Sequence, residues 1–250
     1  MSLAFRVEQV EEIDSTNEAC RLRALSGEPA GLVIRADRQT AGRGRRGRSW
    51  NSPEGNLYAS LVLRPERPVS EAAALGFAAV VAIGDVAEAL LPAFAEVRHK
   101  WPNDLLINER KATGVLLETQ AGGDARPEFL VLGIGVNIAR HPTDTPYPAT
   151  DLTAEGAAPI SPQSLLERAL AAFSPLYDAW EAGGFAALLP AWRRRATGLG
   201  APIEVRLERE TISGIFKDLE PDGALRLALA DGSERRIAAG DVYFPNTQRG

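Results

Sequence analysis

Between Gly42 and Arg48 the chain reads Gly-Arg-Gly-Arg-Arg-Gly-Arg, four guanidinium groups and three glycines in seven positions of a protein whose formal net charge is −5. Like charges at that density need an anion to compensate them. Arginine supplies planar, permanently charged forks that match phosphate and carboxylate oxygens, and glycine lets backbone approach a ligand closely and take positive φ. The stretch reads as an anion clamp, against the plainer reading of a solvated basic loop. Other short segments combine residue types that plain structure seldom needs together. Ser15-Thr16-Asn17 sets three hydrogen-bonding side chains at a helix start, suited to capping that helix, to holding a polar uncharged ligand group, or to both. Lys100-Trp101-Pro102-Asn103-Asp104 offers a cation, an apolar wall and a carboxylate able to serve as metal ligand or general base, or else a strand running into a turn. Lys111-Ala112-Thr113-Gly114 opens an apolar strand on a lysine, and Gly133-Ile134-Gly135-Val136-Asn137 carries glycines that close packing or a bulge alone would also explain.

Those residues need elements to hold them. Phe5 to Val10 alternates as a strand, and Ser15 and Glu18 stand in capping-box spacing ahead of a helix over Thr16 to Leu25. Gly31 to Ala36 and Asn56 to Leu63 read as strands, which makes Asp37 to Asn51, with its arginines, a long excursion between them. Ser70 to Leu91 is an Ala-rich helix apolar on more than one face, hence buried against a sheet. Strands follow at Val97 to Trp101, Leu105 to Ile107, Lys111 to Glu118 and Phe129 to Ile138, with Asn108-Glu109 as a hairpin turn. After a weakly patterned, Pro-rich stretch, Ser161 to Trp180 and Phe185 to Arg195 read as helices, Pro190 beginning or splitting the second. From Pro202 the pattern changes to short strands at Ile203 to Leu207, Thr211 to Leu219, Ala224 to Leu229 and Glu234 to Ala239. The expected fold is α+β: a mixed sheet packed with helices over residues 1–198, then a small β-barrel-like domain over 199–250, joined by the linker Ala196 to Ala201.

Composition narrows the function classes. In 250 residues, 45% hydrophobic and 24% charged content supports a full core. The acidic balance argues against general affinity for nucleic acid or membrane surfaces. A single cysteine, Cys20, excludes an internal disulfide and a Cys-rich zinc site and fits a reducing compartment, with the cytoplasm as the expected location. Met1 to Val10 lacks the apolar core of a signal peptide, and the 13 uncharged residues from Ala72 to Gly84 are too few for a bilayer span. No P-loop ending in Lys-Ser or Lys-Thr is present. Phe129 to Ile138, if exposed, would offer an edge for a homodimer.

In their order and spacing, Gly-Arg-Gly-Arg-Arg-Gly-Arg, Lys-Trp-Pro-Asn-Asp, Arg-Lys-Ala-Thr-Gly-Val-Leu-Leu-Glu and Gly-Ile-Gly-Val-Asn closely resemble the biotin protein ligase family, over about Asp14 to Asn137. The small C-terminal β domain fits the family's layout, and Arg140 to Arg195 agrees only in general. The resemblance implies a catalytic domain like that of class II aminoacyl-tRNA synthetases with an SH3-like barrel behind it. It also implies a two-step reaction with ATP, biotin and Mg²⁺: biotin and ATP give biotinyl-5′-adenylate and pyrophosphate, and the acyl group then passes to one lysine of a biotin carboxyl carrier domain. Both steps build negative charge at phosphate or carbonyl oxygens, for which fixed cations are the physical requirement.

By position in the family's motifs, Ser15, Thr16, Asn17 and Gln39 would hydrogen-bond the ureido ring, with Gly42 and Gly114 beside biotin. Arg43, Gly44 and Arg45 would fold over biotin and the adenylate phosphate, with Arg46 on the nucleotide. Lys111 would contact the biotin carboxylate and α-phosphate, so that Arg45 and Lys111 are the implied catalytic pair. Trp50 and Trp101 would wall the site, and Asn103, Asp104 and Asn137 would lie on the nucleotide or Mg²⁺ side. Some family members carry an N-terminal DNA-binding domain, whereas here the motifs begin at Asp14, so a ligase without DNA binding is expected. The rival enzyme is a lipoate ligase or octanoyl transferase. The rivals from other classes are a single-strand nucleic-acid binder that stacks bases on tryptophan and a biotin-binding module without turnover.

Overall fold

Alternation of side chains along each strand sends successive residues to opposite faces of a sheet, and here both faces are apolar. The computed structural model describes residues 3–122, 126–145 and 147–245. Seven strands, β1 (Arg6–Ile13), β2 (Leu32–Gln39), β3 (Leu57–Leu63), β4 (Val97–Lys100), β5 (Asp104–Ile107), β6 (Arg110–Ala121) and β7 (Pro127–Val136), form one sheet in the order β1-β2-β3-β7-β6-β5-β4. Only β1 and β2 run parallel, linked by the helix α1 (Thr16–Leu25). Leu32, Ile34, Val62, Phe129 and Val131 pack with Cys20 and Ala24 of α1 on one face. Their strand neighbours Val33, Leu61, Leu63, Leu130 and Leu132 belong to the larger core on the other face.

That second face is covered by α2 (Ala74–Leu90), followed in chain order by α3 (Pro162–Gly183) and α4 (Phe185–Arg193). The apolar run is longer than its uncharged stretch suggests. With the 3-10 turn before it, Val69–Leu90 spans 22 residues and contains an 18-residue window of mean hydropathy 1.8, long and apolar enough to cross a membrane, yet 72% of that window is buried inside the protein. It is a core helix. Pro190 sits within α4.

The second sheet, β8 (Pro202–Arg206), β9 (Thr211–Leu219), β10 (Leu225–Ala228), β11 (Glu234–Ile237) and β12 (Asp241–Tyr243), is antiparallel in the order β11-β10-β9-β8-β12. The sequence reading did not anticipate β12, which has three residues and, among the described residues, pairs only with β8. Asn108 and Glu109 turn the β5–β6 hairpin with φ of 47° and 63°, the left-handed pair of a type I′ turn. One expectation is overturned here: the strand proposed as a dimer edge, β7, lies between β3 and β6 and is buried, while β1 and β4 are outermost.

Candidate active site

The N-terminus of α1, the arginine loop, the start of β6 and the end of β7 surround a cleft of about 830 Å³. Of the residues singled out from the sequence, Ser15, Thr16, Asn17, Gln39, Arg43, Gly44, Arg45, Trp50, Asn103, Asp104, Lys111, Gly114 and Asn137 line it. Gly42, Arg46 and Trp101 do not.

One end is a lattice of hydrogen bonds among uncharged side chains, closed at its edge by the Glu118 carboxylate. Ser15 caps α1, its hydroxyl accepting from Glu18 N–H at 3.5 Å. The capping box is only half formed, because the Glu18 carboxylate is taken by Arg21 and Arg43. Thr16 N–H donates to Gln39 Oε1 at 2.9 Å, and Gln39 Nε2 donates to Ser52 Oγ at 3.0 Å, which fixes the Gln39 amide. Asn17 is fixed likewise: its Oδ1 accepts from Ser60 Oγ at 2.6 Å and its Nδ2 donates to Glu118 at 2.7 Å. Ser60, with no exposed surface, also meets the Thr16 hydroxyl at 2.8 Å. Nothing in the local sequence marks Ser60 or Glu118, since their partners lie 43 and 101 residues away. The glycines have a direct reason. A Cβ at Gly133 would fall 2.0 Å from Asn17 Oδ1, one at Gly135 2.6 Å from the Trp50 ring, and one at Gly42 2.5 Å from the Trp50 carbonyl. Gly42 therefore shapes the wall from behind.

The other end is ionic. Lys111 Nζ lies 2.7 Å from Asp104 Oδ1, and Lys100 Nζ 3.9 Å from the other oxygen. Burial alone would push the Asp104 carboxyl up, but the charges of Lys111 and Lys100 outweigh it and hold the group below its ordinary value. Lys100 is itself pushed down to about 8 by burial, against the pull of Asp104. Its ammonium sits 3.6 Å from the centre of the Tyr147 ring and 5.5 Å from that of Tyr243. Arg45 donates to Asn103 Oδ1 at 3.0 Å and to the Gly240 carbonyl at 3.3 Å. Arg48 meets both oxygens of Asp241 at 2.9 Å, and Arg46 lies 3.4 Å from the same carboxylate. Arg46, with φ of 56°, thus faces the second domain instead of the cleft.

Two sequence expectations change. Trp101, proposed as an exposed wall, is 1% exposed and donates its indole N–H to the Gly223 carbonyl at 2.9 Å, joining the two sheets. Asp104, proposed as a metal ligand or general base, is paired with two ammonium groups, and among the described residues no cluster of three His, Cys, Asp or Glu side chains could hold a metal ion. The residues do not fit a protein-built Mg²⁺ site; an ion here would arrive on substrate phosphates, in keeping with its preference for few protein carboxylates.

A hydrogen-bonding slot joined to a cationic one suits a ligand with a neutral polar head and an acid that becomes phosphorylated. The comparisons agree. Residues 10–137 match the Biotin/lipoate A/B protein ligase family, and residues 198–244 match the biotin protein ligase C-terminal domain. The chain belongs to the Biotin/lipoate A/B protein ligase family. It is 36% identical over 236 residues to the biotin–[acetyl-CoA-carboxylase] ligase of Paracoccus denitrificans, covering 92% of this chain and 97% of that one. Over 242 residues it is 33% identical to the bifunctional ligase/repressor BirA of Escherichia coli, covering 95% of this chain and 73% of that one. The biotin protein ligase of Aquifex aeolicus in complex with biotin and ATP superposes with a TM-score of 0.76 at 27% identity, covering 95% and 97% of the two chains. Within the family, these relatives place the chain among the biotin protein ligases.

Proposed function

We propose that the chain joins biotin to AMP at the expense of ATP and then passes the biotinyl group to a lysine of a biotin carboxyl carrier domain. The observation that carries this is the division of one cleft into a neutral hydrogen-bonding end at Ser15, Thr16, Asn17 and Gln39 and a cationic end at Arg45, Lys100 and Lys111. A ureido ring needs donors and acceptors without charge, whereas an acyl phosphate needs charge. In the first step a biotin carboxylate oxygen bonds to the α-phosphorus and pyrophosphate leaves. Lys111, its ammonium held by Asp104, faces the charge that builds on both groups. In the second, the neutral acceptor amine bonds to the acyl carbon, the acyl–phosphate C–O bond breaks, AMP leaves and the amine gives up one proton to solvent. Arg43 and Arg45 lie over the cleft and limit access of water to the mixed anhydride.

The arginine loop favours this reading over nucleic-acid binding. Its guanidinium groups, though partly open to solvent, are already paired within the protein, with Asp241, Glu18, Glu118 and Asn103. The test is mass spectrometry of the small products after incubation with ATP, Mg²⁺ and equimolar biotin and lipoate. Biotinyl-adenylate alone is expected. Lipoyl-adenylate would move the chain to the lipoate branch of the family, and neither product would refute the reading.

A further inference from the structure

Lys111 is the second residue of β6, and it lies beyond the end of β7: the pairing of those strands starts only at Thr113 with Val136. Another segment takes the place of β7 there. Lys111 N–H donates to the Pro148 carbonyl at 2.8 Å, and Thr150 N–H donates to the Lys111 carbonyl at 2.9 Å, so residues 148–150 run alongside the lysine as a short parallel bridge. Such a segment holds an adjacent backbone only as well as it is itself held.

Asn137 Nδ2 donates to the Thr150 carbonyl at 3.0 Å, and the side-chain anchor of the segment is one carboxylate. Thr150 Oγ1 donates to Glu155 Oε1 at 2.5 Å, Asn108 Nδ2 donates to Glu155 Oε2 at 2.7 Å, and Arg110 Nη2 lies 2.6 Å from Oε1. The Glu155 side chain is only 3% exposed, and Thr150 is fully buried. A carboxylate is kept out of water only where such partners satisfy it. Its three partners are the turn that leads into β6, the residue immediately before Lys111, and the segment beside Lys111. None of Glu155, Thr150, Asn108 or Arg110 lines the cleft.

We propose that Glu155 is a positioning residue for Lys111, fixing through Thr150, Asn108 and Arg110 the stretch of backbone from which that lysine reaches the cleft. The inference rests on the proposed role of Lys111 in adenylate formation and deepens it. A displacement of about 1 Å at a reacting group is worth up to about 100-fold in rate. Glu155→Ala in the full chain is therefore expected to lower kcat for biotin-dependent pyrophosphate release by about 10- to 100-fold. KM for biotin should stay within about twofold, because the contacts to its head lie at the other end of the cleft.

The deciding comparison is the double variant Glu155→Ala with Lys111→Ala. If Glu155 acts through Lys111, the pair loses no more than Lys111→Ala alone; multiplied losses would overturn the proposal. Should Glu155→Ala fail to fold, Glu155→Gln, which keeps the shape and drops the charge, is expected to show the same pattern at smaller amplitude, and an unchanged kcat there would refute the proposal. A readout free of activity is amide hydrogen exchange, expected to quicken at Lys111 and Thr150 in either variant. Exchange unchanged at those two amides would refute the positioning role even if the wild-type protein formed no biotinyl-adenylate, an outcome that would refute the parent reading alone.

Discussion

The two ends of the cleft are built on opposite principles. At the α1 end every amide and hydroxyl already has a partner inside the protein: Gln39 with Thr16 and Ser52, Asn17 with Ser60 and Glu118. At the other end charges are balanced against one another: Lys111 against Asp104 across one hairpin, and Arg46 and Arg48 against Asp241 from a distant part of the chain. The first arrangement fixes the orientation of its donors and acceptors, which on the proposed function would select a head group. The second keeps cations assembled by internal carboxylates that a phosphate can replace, since a polyanion competes for the same guanidinium forks. On the proposed function, selectivity and chemistry fall to different physical forces within one cavity.

The largest test of that division is Arg45→Gly. Removing this guanidinium takes away a charged contact over the ionic end, and release of free biotinyl-adenylate is expected to rise about 10- to 100-fold, with lysines of bystander proteins becoming labelled. Retention of strict carrier specificity in blot assays of a mixed lysate would show that the loop does not contain the intermediate. A smaller effect is expected from Gly133→Ala, whose methyl group would press on Asn17 and disturb the neutral lattice. KM for biotin should rise about tenfold, the value of one misplaced methyl group, with KM for ATP unmoved. If steady-state kinetics showed both constants moving together, the two ends would not be separable.

The smallest effect concerns pH. Burial lowers Lys100 from 10.5 to about 8, so between those values the unfolded chain holds a proton that the folded chain has released. Folding stability contributed by this group must therefore rise with pH across that window, while its cation is lost from the nucleotide end. Denaturant melts and ATP titrations at pH 8 and pH 10, each taken as the difference from Lys100→Met, should move in opposite directions. Movement in the same direction would mean that Lys100 does not serve the ionic end.

Legibility in the sequence follows the same division. The start of α1 is set by local capping chemistry at Ser15, and the helix falls at Thr16–Leu25 as the spacing predicts. The glycine-arginine motif and Lys111 were visible because residue type alone carries their chemistry. Asp241 was not visible: it lies 193 residues from Arg48, on a three-residue strand with no pattern of its own. Trp101 misled for a related reason. Its neighbours Lys100, Asn103 and Asp104 line the cleft, but the tryptophan points the other way, into a core completed by a carbonyl 122 residues later.

That indole also bears on how the chain unfolds. Trp101, Phe77 and Trp192 of the large domain share one continuous apolar cluster with Phe216, Leu225 and Leu227 of the small one. Gly223 rests so close to Phe77 that a Cβ there would fall 2.9 Å from its ring. A boundary drawn along the backbone near residue 198 therefore cuts through the middle of a core, and the two sheets are expected to melt as one cooperative unit. A protease cut in the linker would leave Trp101 and Trp192 uncovered on the larger piece and Phe216 uncovered on the smaller, and neither would be the independent module that its own sheet suggests.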